Sequence, residues 1–214
     1  MKKLLSILAV LSLSFVTAGA TEQDTVNRCA SIIRDFRQMP ERGIPRDVLR
    51  HSKGLAIMTV VKAGFIFSGK GGQGVVVART DYGWSGPSFI ATGGGGWGLQ
   101  AGAQVTDFVM VLNNDAAVRA FSRGGNVTIG VDVSAAAGPV GRTAAGAVMP
   151  TAAIYTYSRS KGLFIGVSLE GAVIGTQRRS NFNYYGGPVR ADSILSGLTK
   201  APPGAAPLCR ALGP

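Results

Sequence analysis

The fold class follows from residues 54–80, which read GLAIMTVVKAGFIFSGKGGQGVVVART. Short runs of β-branched and aromatic residues at 55–61, 65–68 and 75–79 are separated by clusters of glycine. Such runs between glycine-rich turns are typical of β-strands, whereas a helix needs apolar residues three to four positions apart. This stretch therefore predicts the beginning of an antiparallel β body.

The strand pattern continues towards the C-terminus. Further strands are predicted at 88–92, 99–105, 108–112, 127–133, 153–157, 163–169 and 172–176. Asn113, Asn114 and Asp115 interrupt the pattern and predict a helix through Phe121, because their side chains accept hydrogen bonds from the first helical turn. So many short strands would leave exposed edges in an open sheet, which favours a closed or nearly closed one.

Helices are predicted at both ends of this β body. Residues 25–37 carry apolar side chains at helical spacing, and Pro40 ends that helix. A second short helix opens at Pro45, a turn at 184–188 precedes a helix near 192–196, and a last one lies near 206–212. The predicted fold is therefore α+β: a glycine-rich antiparallel β body, closed or nearly closed, with short helices at both ends and one inserted helix.

The N-terminal residues 1–20 have the organisation of a signal peptide. Lys2 and Lys3 precede the apolar residues 4–16, and Ala18-Gly19-Ala20 supplies the small residues of a cleavage site. The apolar run is shorter than the roughly 20 residues of a membrane-spanning helix. The sequence therefore predicts cleavage after Ala20, export to the periplasm or the outside, and a single domain at 21–214.

The balance of charge predicts an anionic partner. The chain has 22 Lys and Arg residues against 11 Asp and Glu residues, a formal net charge of +11. A positive field of this size favours phospholipid headgroups, acidic glycans or nucleic acid. After residue 20 the only doublet of basic residues is Arg178-Arg179, so the charge is scattered and not concentrated in a tail.

Catalytic and cofactor motifs are weak in this sequence. Residues 69–74 and 93–98 fit the dinucleotide pattern G-x-G-x-x-G, but neither is followed by the helix that would hold a pyrophosphate. His51 is the only histidine, which excludes a metal site built from several histidines. A hydrolase using Ser168 and His51 is the least favoured hypothesis. No cofactor, metal or catalytic residue is predicted, and the chain is expected not to be an enzyme.

Two cysteines leave two alternatives open. An even number of cysteines in an exported chain predicts a disulfide between Cys29 and Cys209, which would join the first helix to the last. The other interpretation is a pair of buried thiols.

Several separated motifs, taken together, resemble a known domain family. They read HSKGLAI at 51–57, WSGPSF at 84–89, TDFV at 106–109, AGPVGR at 137–142 and YSRSKGLF at 157–164. In this order they resemble the SYLF domain, also called the Ysc84-type actin-binding domain. The resemblance covers residues 21–212, which is nearly all of the predicted mature chain.

The resemblance implies lipid binding. Eukaryotic members of the family bind phosphoinositides and other acidic phospholipids, partly through an N-terminal amphipathic helix, and fungal members also bind actin. This sequence differs from them in its export signal, in lacking an SH3 domain and in ending with the SYLF domain. Export removes cytoplasmic actin, so actin is not expected as a natural partner. Nucleic acid is not expected either.

The function expected from these observations is binding of anionic phospholipids, with phosphoinositide-like headgroups, by a peripheral membrane protein. The contacts expected are basic loops and the N-terminal helix. The candidate lipid-binding residues, all at or near loop glycines, are Lys62, Lys70, Arg79, Arg142, Arg159, Lys161, Arg178 and Arg179. Each contributes about 1 kcal/mol near an anionic membrane. For each, the alternative is a solvated charge, or an ion-paired core residue for Arg142 and Arg159.

Two further alternatives remain from the sequence. One is a structural or adhesive protein of the envelope or the extracellular space that binds another protein or a glycan. The other concerns Phe36, which either inserts into a membrane or packs in the core. Phe36 shares a helix face with Val26 and Ile33, which favours the core.

Overall fold

The computed structural model describes residues 21–213 except 40–42, 66, 98–101, 141–151, 163–168 and 170, and only the backbone at 64, 65, 67, 68, 96, 97, 161 and 162. The helices are α1 (Glu22–Gln38), α2 (Arg46–His51), α3 (Asp115–Ser122), α4 (Arg178–Tyr185), α5 (Ala191–Leu195) and α6 (Ala206–Leu212), with a 3₁₀ turn at Pro203–Ala205 before α6. The strands are β1 (Gly54–Phe65), β2 (Phe67–Thr80), β3 (Gly83–Trp84), β4 (Ser88–Trp97), β5 (Gly102–Leu112), β6 (Asn126–Thr128), β7 (Ala135–Ala137), β8 (Ile154–Gly162) and β9 (Val173–Thr176).

The strands form one curled sheet in the order β6-β9-β4-β2-β1-β5-β8-β7, with β3 paired to β2. All pairs along this order are antiparallel except β7 with β8. The outermost strands β6 and β7 follow each other in sequence, and a bridge between Ile129 and Val133 joins the segments beside them. The predicted α+β fold with terminal helices and one inserted helix is confirmed.

Strands β1 and β2 form one long hairpin. The sequence had predicted several short strands in this region. Pairing runs without interruption from Gly54 opposite Ala78 to Phe65 opposite Phe67. The glycines at 69–74 therefore lie inside a strand and not in turns. Gly74 is required there, because a Cβ atom would lie 2.6 Å from Met58 Cα and closer still to the Ile57 carbonyl oxygen. Glycine thus allows β2 to approach β1 where the sheet curls.

We expect Gly74→Ala to lower the free energy of unfolding by about 1–3 kcal/mol, because the added methyl group meets backbone atoms of the neighbouring strand. Gly71→Ala is the matched control, since a Cβ atom at Gly71 in the same strand meets nothing within 4 Å. Thermal unfolding of both variants compares them. Equal melting temperatures would contradict the close approach of β1 and β2.

The two faces of the sheet bury two separate apolar clusters. Alternate residues of β1 point to opposite sides, so Leu55 and Ile57 join one cluster while Ala56 and Met58 join the other. Helices α1 and α6 cover the first cluster, which we call the helix-covered face. The second cluster lies on the opposite face of the sheet and includes apolar residues of α3 and α5.

Helix α1 begins in a capping box. The Thr21 hydroxyl accepts a hydrogen bond from the Asp24 backbone N–H at 3.1 Å, and the Asp24 carboxylate accepts one from the Thr21 backbone N–H at 3.0 Å. The helix ends at Gln38 because Met39, the residue before Pro40, is extended. The predicted helix at 25–37 is therefore confirmed, with one turn added at its start.

Helix α4 was not predicted. Its sequence RRSNFNYY lacks strong helix formers, and Gln177 at its N-cap makes no side-chain capping hydrogen bond. Contacts to the sheet hold it instead: the buried Asn181 side chain accepts a hydrogen bond from the Phe89 backbone N–H at 2.8 Å. The helix ends at Gly186, whose φ of 75° favours glycine.

Candidate functional site

Lys62 and Lys70 are the two predicted site residues that the structure brings together. They lie directly opposite each other in the β1–β2 register, in the glycine-rich half of the hairpin. Both are half-buried, and the aliphatic part of Lys70 lies along Gly94 of β4, where a Cβ atom would be 3.0 Å from Lys70 Cε. This pair places two ammonium groups on the same face as Met58 and Val60.

Arg79 lies at the other end of β2 and makes contacts within the protein. Its guanidinium group is 4.4 Å from the centre of the Trp84 ring, a cation–π arrangement. Its Nη2 donates to the Leu49 carbonyl oxygen at 3.5 Å, while its buried Nε has no hydrogen-bond partner among the described residues. Arg79 therefore helps to join α2 and β3 to the sheet.

Arg159 is an ion-paired residue between α1 and the sheet, in agreement with the alternative that the sequence left open. Its Nη2 donates to Asp35 of α1 at 2.8 Å and to Asp107 of β5 at 3.1 Å. The hydrogen bond to Asp35, followed by the one to Asp107, raises the pKa of Arg159, so this side chain stays charged. Arg159 therefore stabilises the packing of α1 on the sheet, and its charge is already paired within the protein.

Asp107 is the centre of this cluster. The Thr59 hydroxyl donates to it at 2.7 Å and accepts from Arg28 Nε of α1 at 2.8 Å. Thr59, Asp107 and Arg159 occupy one row of paired positions across β1, β5 and β8, on the helix-covered face. We call Arg28, Asp35, Thr59, Asp107 and Arg159 the ion-pair cluster. Sequence reasoning missed it, although TDFV and YSRSKGLF carry two of its members.

Three other predicted site residues, Lys161, Arg178 and Arg179, do not lie opposite the lysine pair. Arg178 and Arg179 begin α4 and are exposed, and Arg178 Nη2 donates to the Gly124 carbonyl oxygen at 3.3 Å. Lys161 lies opposite Val105 in the backbone pairing of β8 with β5. Arg142 lies outside the described residues, as does Ser168 of the disfavoured hydrolase hypothesis.

The apolar face of α1 is buried against the helix-covered face of the sheet. Phe36 is 1% exposed and belongs to the same cluster as Val26 and Ile33, as favoured from the sequence. The side of α1 that meets solvent is charged, with Arg34, Arg37 and Asp24 exposed. In this arrangement α1 exposes charged side chains, while its apolar side chains are buried.

A small cavity of about 70 Å³ lies where α1, β2, β4 and α4 meet. Its polar lining includes Glu22, Gln73 and Ser180. Hydrogen bonding by the Asn183 side chain holds the pKa of Glu22 below its usual value. The cavity has room for a few water molecules and not for a lipid headgroup.

The structure does not support the predicted disulfide, since Cys29 and Cys209 are both free thiols. Cys29 lies against the sheet and donates to the Ile57 carbonyl oxygen at 3.4 Å, whereas Cys209 lies near Tyr184 and Tyr185. Burial raises the pKa of the Cys29 thiol to about 12. The interpretation as two thiols, one fully and one partly buried, fits the structure.

We expect the two thiols to differ strongly in reactivity. At pH 8 Ellman's reagent should modify only Cys209 in the folded protein, because the Cys29 thiol is buried and is not ionised at that pH. Cys209→Ser should leave a protein that reacts only after unfolding in guanidinium chloride. Finding no free thiol in unreduced, unfolded protein would contradict this result and restore the disulfide.

Two further kinds of site are absent from the described residues. The part of the chain that the structure describes contains no group of three or more His, Cys, Asp and Glu side chains that could hold a metal ion. Within the same described residues, no helix is long and apolar enough to cross a membrane.

Comparison with known proteins gives the family. A family model described as Ysc84, Las17-binding protein actin regulator, matches residues 93–213. The chain belongs to the Ysc84/SYLF family. This membership confirms the resemblance seen in the sequence motifs. Members of the Ysc84/SYLF family are binding proteins and not enzymes, in agreement with the expectation from the sequence.

The chain is similar to several longer proteins of the Ysc84/SYLF family. It is 47% identical over 195 residues to Protein YSC84 of Saccharomyces cerevisiae, which covers 86% of the chain and 42% of the relative. It is 50% identical over 174 residues to LAS seventeen-binding protein 3 of the same yeast, covering 79% of the chain and 38% of the relative. It is 44% identical over 183 residues to SH3 domain-containing YSC84-like protein 1 of Homo sapiens, covering 82% of the chain and 54% of the relative. The chain thus spans about half the length of these relatives or less.

Proposed function

We propose that the chain binds anionic phospholipid surfaces as a peripheral membrane protein. The observation that carries this proposal is the exposure of most of the basic residues that the chain has in excess. Two of its acidic residues, Asp35 and Asp107, form ion pairs with Arg159. The exposed basic residues include Arg34, Arg37, Arg46, Arg50, Lys53, Arg119, Arg123, Arg178, Arg179 and Lys200. Their charges attract an anionic membrane and add to each other.

Two predicted groups are candidates for direct contact with phosphorylated headgroups. Lys62 and Lys70 present ammonium groups side by side on the hairpin, and Arg178 with Arg179 forms an exposed doublet at the beginning of α4. Phosphate is the natural partner for such cations. Helix α1 contributes to this proposal through its exposed arginines, because its apolar face is occupied by the core.

Reversal of the arginine doublet tests the electrostatic part of the proposal. We expect Arg178→Glu with Arg179→Glu to weaken binding to vesicles of phosphatidylcholine and phosphatidylserine about tenfold or more, since two attractive charges become repulsive. Arg178→Lys with Arg179→Lys is the matched control, which keeps the charge and should bind like the original protein. Unchanged binding of the folded glutamate variant would contradict a role for this doublet.

Export is a separate part of the proposal. The predicted signal peptide at 1–20 lies outside the described residues, and Thr21, the first residue after the predicted cleavage site, caps α1. Cleavage there leaves the cap of α1 in place. The intact mass of the protein recovered from its host should correspond to residues 21–214, and a mature protein that retains Met1 would contradict export.

Binding to another protein is the second candidate, because the matching family is described as an actin regulator. Co-sedimentation with filamentous actin tests it with purified components. Sedimentation with actin at physiological salt, without any binding to anionic vesicles, would favour this candidate over lipid binding.

A further inference from the structure

Two exposed apolar side chains lie on adjoining turns at the end of the sheet where β2 ends. Tyr82 is 99% exposed and Leu198 is 84% exposed. They belong to separate turns that meet where Gly197 contacts Thr80, since a Cβ atom at Gly197 would lie 3.2 Å from Thr80 Cγ2. A single exposed apolar residue is common on a protein surface. Two large apolar side chains on adjoining turns are less common, because their exposure to water is unfavourable unless a partner covers them.

Hydrogen bonds hold both turns in place. The Thr80 hydroxyl donates to the Gly83 carbonyl oxygen at 2.9 Å and accepts from the Tyr82 backbone N–H at 3.3 Å. On the other turn, the Thr199 backbone N–H donates to the Ser193 carbonyl oxygen at 2.9 Å. Tyr82 and Leu198 are therefore presented by ordered backbone, so that little conformational entropy is lost when a partner covers them.

Basic residues surround the two apolar side chains. Lys53 lies beside this end, since its carbonyl oxygen accepts from the Arg79 backbone N–H at 2.8 Å, and Lys200 follows Leu198 by two positions. Arg50 is exposed on α2, the helix whose Leu49 is contacted by Arg79, and it lies 4.0 Å from the exposed Asp47 of the same helix. Asp81 is an exposed acid in the same turn as Tyr82. Three basic residues therefore stand against two acids, and the remaining positive charge complements an anionic surface.

We propose that this end, formed by Arg50, Lys53, Tyr82, Leu198 and Lys200, is where the protein docks on an anionic lipid surface. Tyr82 and Leu198 enter the boundary between headgroups and acyl chains, where an amphipathic tyrosine ring is stable. Arg50, Lys53 and Lys200 pair with the lipid phosphates. The inference rests on the proposed lipid binding and gives it a place and an orientation that the candidate residues of the sequence did not include. In this orientation Lys62 and Lys70, near the opposite end of the β1–β2 hairpin, lie away from the lipid and do not contact its headgroups.

Truncation of the apolar pair tests the docking end. With vesicles of phosphatidylcholine and phosphatidylserine in a 70:30 ratio, Tyr82→Ala with Leu198→Ala should weaken binding on the order of tenfold or more, because two apolar side chains no longer enter the lipid. The salt dependence should stay unchanged, since no charge is altered. Val131→Ala is the matched control. Val131 is 78% exposed in the turn after β6, and the strand pairings place this turn toward the opposite end of the sheet from the end of β2.

Fluorescence tests insertion directly. Tyr82→Trp should add an emission that shifts to the blue on binding and is quenched by lipids brominated on the acyl chains, whereas Val131→Trp should add an emission that is not quenched. Both are compared with the original protein, which contains Trp84 and Trp97. Melting temperatures of all the variants should agree, since the altered side chains are exposed.

The outcomes separate the two proposals. If the original protein does not bind the anionic vesicles, lipid binding and the docking end are both overturned. If it binds them, but the double alanine variant binds equally well and the tryptophan at position 82 is not quenched, only the docking end is overturned.

Discussion

Replacing Asp107 by alanine is expected to lower the free energy of unfolding by about 2–3 kcal/mol, because it leaves the partly buried Arg159 and the buried Thr59 without their anion. Asp107 is 7% exposed and accepts hydrogen bonds from Arg159 and Thr59. Arg28 lies at 3.8 Å and also loses its ionic partner. Chemical denaturation of the purified variant measures the change.

Asp35→Ala is the control for this prediction. The Asp35 side chain is 42% exposed, so water can replace part of its hydrogen bonding to Arg159. We therefore expect the free energy of unfolding to fall by about 1 kcal/mol or less. The difference in free energy of unfolding between the two variants measures how much the burial of the Asp107 carboxylate contributes. Equal losses for Asp107→Ala and Asp35→Ala would show that the ion-pair cluster is not organised around Asp107.

Phe36→Ala is expected to lower the free energy of unfolding by about 3–5 kcal/mol, as for large core side chains truncated to alanine. Phe36 is 1% exposed between α1 and the sheet, and its ring lies 5.8 Å from the Arg159 guanidinium group. Affinity for anionic vesicles should stay unchanged at a temperature where the variant is folded. Thermal unfolding and vesicle co-sedimentation on the same preparation measure both effects.

Phe182→Ala supplies the matched control, since Phe182 is 50% exposed on α4 and should cost much less stability. A Phe36→Ala variant with normal stability and weakened vesicle binding would reverse the interpretation. It would mean that α1 leaves the core and inserts its apolar face into the membrane.

Much of the fold was predictable because the local signals agree with it. The helix at 115–122 was predicted from the capping residues Asn113, Asn114 and Asp115. Asn114 is the cap, and its side chain accepts a hydrogen bond from the Ala117 backbone N–H. The glycines at 69–74 misled the prediction of separate strands, because a glycine that allows close approach of two strands resembles a glycine in a turn. Helix α4 was missed because tertiary contacts such as that of Asn181 stabilise it.

The candidate site was less predictable than the fold. The sequence predicts Lys62 and Lys70 at loop glycines, whereas the structure places them within strands β1 and β2. The sequence also does not show that Arg159 forms ion pairs with Asp35 and Asp107. Those three residues are far apart in the chain and meet only through the packing of α1 on the sheet. The exposure of Tyr82 and Leu198 likewise depends on tertiary structure, although the basic residues between 46 and 53 are visible in the sequence.

The measurement that tests the central claim most directly is flotation of the purified mature chain with vesicles of two compositions. We expect the protein to float with vesicles of phosphatidylcholine and phosphatidylserine at 0.1 M NaCl, to be released at about 0.5 M NaCl, and to remain unbound with phosphatidylcholine alone, since salt screens attraction between exposed charges. Equal binding to both vesicle types, or no binding to either, would contradict the account of this chain as a protein that binds anionic lipid surfaces.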